Sequence, residues 1–173
     1  WSTWKRPDRA GFDQCVAAAR RAFTSFLDTM PAAGPKDRAA RTLAAYIDWS
    51  CIVNPCGLIK RPSMFMSKNW MSNVWSWDHC FNAMALAKGQ PELAMDQMLT
   101  MVDHQDEFGS YPDSINDVML HFNFSKPPVH GLIFQELLQC MPRRPSNEVI
   151  DRMYVSLGKQ ADWWMNYRTK GSG

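Results

Sequence analysis

Apolar residues return at steps of three and four through residues 8–30, where Phe12, Val16, Ala19, Phe23, Phe26, Leu27 and Met30 form one stripe. Such a stripe predicts an amphipathic helix. The segment "PAAGPK" breaks it, and a second helix is expected from Lys36 to Val53, with Leu43, Ala44, Ile47 and Cys51 on one side. A third helix, Trp77 to Lys88, has almost no polar face and is expected to be surrounded by protein. Pro91 suits the first turn of a fourth helix that runs to Gln105. The prolines of "PPVHGLIFQELLQCM" open a fifth, and Ser146 can cap a sixth that aligns Ile150, Met153, Tyr154, Leu157, Ala161 and Trp164. Strand-like alternation is not evident. The expected fold class is all-α, about six helices in hairpins, residues 1–173 forming a single helical unit. Two loops of about twenty residues interrupt it, and loops that long are usually functional.

The third helix opens inside "VWSWDHCFNAMALA", residues 74–87. Ser76 is the expected N-cap, which places Asp78 in the first turn, where free amide groups and the helix dipole favour an ionised carboxylate. Trp70, Trp75 and Trp77 crowd the same short segment. Indole faces are flat and stiff, and beside a carboxylate they suit a ring with one apolar face and several hydroxyl groups, which describes a sugar. The second long loop, "HQDEFGSYPDSINDVMLHFNFSKPPVHG", adds Gly109 for a sharp turn and Tyr111, Asp113, Asn116, Asp117, Asn123, Ser125 and Lys126 as donors and acceptors. Asp, Asn, Ser and Pro are also what long loops are commonly made of.

Charge narrows the choice of partner. The balance is 19 basic against 17 acidic residues, without a long run of either sign, so neither nucleic acid nor a membrane surface is an expected partner. No stretch is apolar for long enough to span a bilayer. The five cysteines, Cys15, Cys51, Cys56, Cys80 and Cys140, form no CxxC pair and point to a reducing, cytoplasmic setting. His79, His104, His121 and His130 show no metal-ligand spacing, so neither a metal nor a cofactor is expected.

"VWSWDHCFNAMALA", then "HQDEFGSYPDS", then "FSKPPVHG" resemble, in that order, the N-terminal half of the catalytic domain of glycoside hydrolases related to family 63. Mannosylglycerate and glucosylglycerate hydrolases, trehalases and glycogen-debranching glucosidases are related. The resemblance spans roughly residues 40–170. It implies an (α/α)6 toroid, of which this chain makes about half, and an inverting hydrolase of α-linked gluco- or manno-configured sugars. It also implies a substrate-binding set: Trp77 and Asp78 gripping the sugar, Trp75 supporting them, and Tyr111, Asp113 and Lys126 on the pocket rim. Gly109, Pro112 and Asp113 match the family's rim turn, and Ser125 to Pro128 match its serine–glutamine–proline–proline element.

Two departures stand out. Lys126 replaces the usual glutamine, exchanging a neutral donor and acceptor for a cation that only donates, which hints at a negatively charged or otherwise unusual substrate or at altered function. The family's catalytic acid and base follow later in its sequence than the stretch matched here, so no catalytic residue is assigned to this chain. A missing C-terminal half or a second chain would complete the ring around a small carbohydrate. The rival reading is a non-catalytic helical sugar-binding or scaffold module, whose 12 methionines and 8 tryptophans are mainly core.

Overall fold

A computed structural model describes residues 11–67 and 69–168. Six α-helices dominate it, as the periodicity predicts, but the chain gathers into two compact units, Trp1–Trp49 and Ser50–Gly173, where the sequence reads as one.

In the first unit, α1 (Phe12–Thr29) carries most of the predicted first helix, whose residues 8–10 lie outside the described residues. Met30 leaves the helix in extended geometry, and Pro35–Asp37 form a short 3-10 turn that runs into α2 (Arg38–Cys51). The last carbonyl groups of a helix have no partners within it. Arg41 adds partners at and just beyond this end, its guanidinium donating to the carbonyl oxygens of Leu27 at 2.5 Å, Met30 at 3.0 Å and Pro31 at 2.7 Å. The Phe23 ring meets Tyr46 edge-on at 5.8 Å and Trp49 at 5.5 Å, so α2 packs through residues outside its predicted stripe, whose Leu43 and Ile47 are 60% and 52% exposed.

The second unit begins where α2 ends, two residues before the predicted boundary. Ile52 and Val53 are β-branched and leave the helix as β1 (Ile52–Val53), pairing antiparallel with β2 (Ser63–Met64). A second small sheet joins β3 (Val74–Trp75), β4 (Ser114–Ile115) and β5 (Leu120–His121) in the order β3-β4-β5. The expectation of no strands is therefore corrected. Two residues per strand are too few to write an alternating pattern, and β3 finds its partner β4 only about forty residues later in the chain. Asn116 closes the β4–β5 turn by accepting from the amides of Val118 and Met119. The strands also account for the two long loops, which pack over a cluster of Ile59, Val74, Met101, Tyr111 and Ile115.

The remaining helices are α3 (Asp78–Leu86), α4 (Pro91–Val102), α5 (His130–Cys140) and α6 (Asn147–Tyr167). α3 packs on both α4 and α5, while α4 packs on α6, so α3 lies beside α5 and α4 beside α6. Ala83, Leu86, Ala87, Ala94 and Met98 are buried, the small side chains allowing close helix approach. Contrary to expectation, α3 is not enclosed: Phe81 and Met84 are 49% and 42% exposed. Ser146 caps α6 as predicted, accepting from the Val149 amide. Its buried line is Met153, Ser156 and Gln160, however, and Tyr154, on the predicted stripe, faces solvent. Polar side chains are paired on that buried face, and a hydrophobic count does not register them.

Candidate functional site

The small sheet delivers the chain to the mouth of α3. Trp75 pairs with Ser114 across β3 and β4, and the next amide, Ser76 N–H, donates to the Asp113 carbonyl at 2.8 Å. At Trp77 the backbone turns sharply, with φ 74° and ψ −44°, the one non-glycine residue at positive φ among the described residues. A bulky residue in this γ-turn region costs roughly 1–3 kcal/mol and persists only when its surroundings impose it. The imposing contacts are the clamp from Asp113, the Trp77 carbonyl accepting from Cys80 N–H at 3.0 Å, and the indole meeting Phe81 edge-on at 5.9 Å. Ser76 is thus not the side-chain cap that the sequence suggests. Trp77 itself occupies the cap position, and the Ser76 hydroxyl points inward to His130 Nε2 at 3.4 Å.

Asp78 stands in the first turn of α3, half-buried. Burial pushes its carboxyl above the usual range; its own backbone N–H, the Lys126 cation and the Trp77 indole oppose that rise without cancelling it. Position at a helix N-terminus alone suggests the opposite direction, and desolvation outweighs it here.

Across from Asp78, Lys126 Nζ lies 2.7 Å from Asp113 Oδ1, with the Asp113 side chain 3% exposed. The angle is poor for a hydrogen bond, so the contact neutralises that oxygen without saturating it. The same ammonium group sits 5.0 Å from the centre of the Trp75 ring, a cation–π contact, and 6.0 Å from that of Phe124. Trp75 Nε1 is buried without a hydrogen-bond partner. Trp75, Trp77, Asp78, Asp113 and Lys126 therefore come together. Lys126 is already committed to Asp113, which weighs against the anionic substrate that its charge suggests in the sequence.

Tyr111 is placed differently. It is 7% exposed within the loop-covered core, and its hydroxyl bonds Ser156 Oγ at 2.7 Å. Ser156 in turn donates to Gln105 Oε1 at 2.8 Å, joining the loop to α6. Gly109 makes the predicted sharp turn at φ +103°, where an added Cβ would collide with the Lys159 carbonyl. Trp70, the third tryptophan of the segment, is 81% exposed.

Behind the mouth lies a set that no motif groups. His79, Cys80 and His130 are all buried, with one ligand-capable atom of each within 4.8 Å of the others. His79 Nδ1 faces the Trp75 carbonyl at 3.1 Å, and its Nε2 faces Cys80 Sγ at 3.6 Å. His130 Nδ1 meets the Gln160 amide nitrogen at 3.0 Å. Desolvation lowers His79 to about 4 and holds His130 well below its ordinary value, so both rings are neutral; burial likewise raises the Cys80 thiol. Fifty residues separate His130 from the other two, which is why no spacing motif marks them. Grooves of appreciable size lie elsewhere, one of about 440 Å³ between Arg61, Asp96, Arg143 and Ser146.

No helix among the described residues is long and apolar enough to cross a membrane, and none of the five cysteines forms a disulfide. No curated protein matches the chain. The model of the mannosylglycerate hydrolase MGH1-like glycoside hydrolase domain matches residues 71–173, more than half of it and the whole of the site.

Proposed function

The chain belongs to the MGH1-like glycoside hydrolase family, and from that premise we propose that it forms part of an inverting hydrolase of α-linked gluco- or manno-configured sugars. Its share of the work is to grip the glycone. The observation that carries this reading is the strained Trp77, which turns Asp78 out at the helix mouth beside Trp75, Asp113 and Lys126. Asp78 would accept from two neighbouring sugar hydroxyls, Trp77 would wall the ring, and Trp75 would support the floor. A hydroxyl reaching Trp75 Nε1 would give that buried donor the acceptor it lacks.

Inversion needs a protonated acid on one face of the sugar and a water-activating carboxylate on the other, about 6.5–9.5 Å apart. Asp113 is ion-paired and almost fully buried, a poor arrangement for activating water. In the family both catalytic carboxylates come later in the sequence than the stretch matched here, and both are assigned to that later part of the (α/α)6 toroid. The arrangement of α3 beside α5 and α4 beside α6 suits the inner and outer layers of such a ring, and the exposed Phe81 and Met84 suit a missing neighbour. Because Lys126 is neutralised by Asp113, the sugar contact made here is to uncharged hydroxyls.

A panel of methyl and aryl α-glucosides and α-mannosides, titrated while tryptophan fluorescence is followed, tests this reading. At least one should bind saturably. A chain that binds none of them is better described as a helical scaffold.

A further inference from the structure

We propose that His79, Cys80 and His130 form a buried binding site for a closed-shell, thiophilic metal ion, Cu(I) or Zn(II), which fastens the start of α3 to the start of α5 behind the sugar-facing residues. The three ligand atoms already converge within 4.8 Å, and the Cys80 Sγ to His79 Nε2 distance of 3.6 Å is a metal-ligand edge as it stands. Metal–sulfur and metal–nitrogen bonds of about 2.3 and 2.0 Å place neighbouring ligands roughly 3.3–3.8 Å apart. The widest gap, which involves His130, therefore has to close by up to about 1.5 Å, within reach of side-chain rotations.

The outer contacts suit the role. A metal-bound histidine commonly donates its other ring N–H to a carbonyl, which fixes its orientation. His79 Nδ1 has that partner in the Trp75 carbonyl, leaving the Nε2 lone pair directed at Cys80. Gln160 stands at His130 Nδ1. Rotating its amide by half a turn offers the carbonyl oxygen instead, so the ring proton moves from Nε2 to Nδ1 and the Nε2 lone pair faces the site. Cys80 binds as the thiolate, releasing its proton to solvent. Ser76 Oγ, 3.4 Å from His130 Nε2, is available as a fourth, weak ligand. A neutral imidazole pair with one thiolate suits a soft d10 ion. A monovalent ion makes the cluster neutral; a divalent one leaves a single positive charge facing Asp78, whose field already acts on Cys80.

The experiment uses the full chain, expressed without a polyhistidine tag. Metal content per chain is measured by elemental analysis. The metal-free protein is then titrated with Zn(II), with Co(II) as its coloured stand-in, and with Cu(I) against a competing chelator. One equivalent should bind, with about one proton released per ion and a thiolate-to-cobalt charge-transfer band in the near ultraviolet. Cys80→Ala and His130→Gln should each weaken binding at least tenfold. Replacing the exposed Cys15, Cys56 and Cys140 together by serine should leave it unchanged. Tighter binding of Cu(I) than of Zn(II), or the reverse, identifies the ion. Absence of the charge-transfer band at saturating Co(II), together with no stoichiometric Cu(I) uptake, overturns the proposal. Binding that disappears in the triple surface variant overturns it as well. The band is read on the unaltered protein, so the outcome does not depend on the variants folding.

Discussion

Replacing Lys126 by methionine keeps most of the aliphatic stem over Trp75 but removes the charge that faces Asp113 Oδ1 at 2.7 Å. At that separation an effective dielectric constant of about 20 gives roughly 6 kcal/mol of attraction, most of it offset by the desolvation of both groups. What survives is asymmetric. Lys126 is 23% exposed and can turn to water when Asp113 is lost, whereas Asp113 at 3% cannot. Lys126→Met should therefore destabilise the fold by about 2–3 kcal/mol, near the lower end for an orphaned buried charge. Asp113→Asn should cost only about 1 kcal/mol, since the amide keeps the shape and leaves Lys126 free. The double variant should recover most of the loss, giving a coupling energy of about 2 kcal/mol in a double-mutant cycle. Urea unfolding followed by tryptophan fluorescence measures all four proteins, with an unchanged slope confirming that the unfolded states are comparable. A Lys126→Met midpoint within about 0.5 kcal/mol of the parent, the range of an ordinary surface change, would refute the pairing and the geometry built on it.

Three further outcomes follow from particular contacts. Asp103 accepts two bonds from Arg61, at 2.7 and 3.1 Å, and one from Arg152 at 2.5 Å; burial raises its carboxyl, but the two guanidinium groups outweigh this and hold it below the usual range. A folded-state value below the unfolded one of about 3.9 makes this contribution complete above that pH and lost as pH falls through the folded value. Asp103→Asn should thus flatten the acid limb of melting temperature against pH and lower stability by about 1–2 kcal/mol at pH 7, as read by calorimetry. Gly109→Ala meets both a positive φ and the Lys159 carbonyl and should cost more than about 1 kcal/mol in the same assay; no loss would remove the tight turn. Tyr111→Phe deletes the bond to Ser156, so about 1 kcal/mol of stability should go while sugar affinity stays within twofold; a large affinity loss would return Tyr111 to the subsite.

The existence of the helices was legible because apolar residues recur at helical steps in most of them and proline or serine marks several starts, and the site segment because indoles and a carboxylate crowd one helix start. Asp78, Asp113 and Lys126 were all named from the sequence. That Lys126 closes on Asp113 could not be read, because the residues between them, 114–125, first have to form β4 and β5. Trp77 looked like an ordinary aromatic wall. Its positive φ is imposed by the clamp from the Asp113 carbonyl to Ser76, which is long-range and invisible to local propensity. For the same reason Ser76 looked like a cap. The residue type is right for one, but its hydroxyl is drawn inward by His130, fifty-four positions away. Ser156 and Gln160 were overlooked because a hydrophobic stripe counts apolar residues, whereas α6 buries polar groups already matched by Tyr111, Gln105 and His130.

The most direct test titrates a sugar that binds the parent chain into Asp78→Ala by isothermal calorimetry, with circular dichroism confirming that helicity is retained. Hydrogen bonds to a charged acceptor contribute about 1.5–3 kcal/mol each, so losing two should weaken binding by roughly 100-fold or more. A variant that stays helical and no longer binds is the predicted result. Unchanged affinity in a folded Asp78→Ala protein would contradict the account and move the sugar site elsewhere.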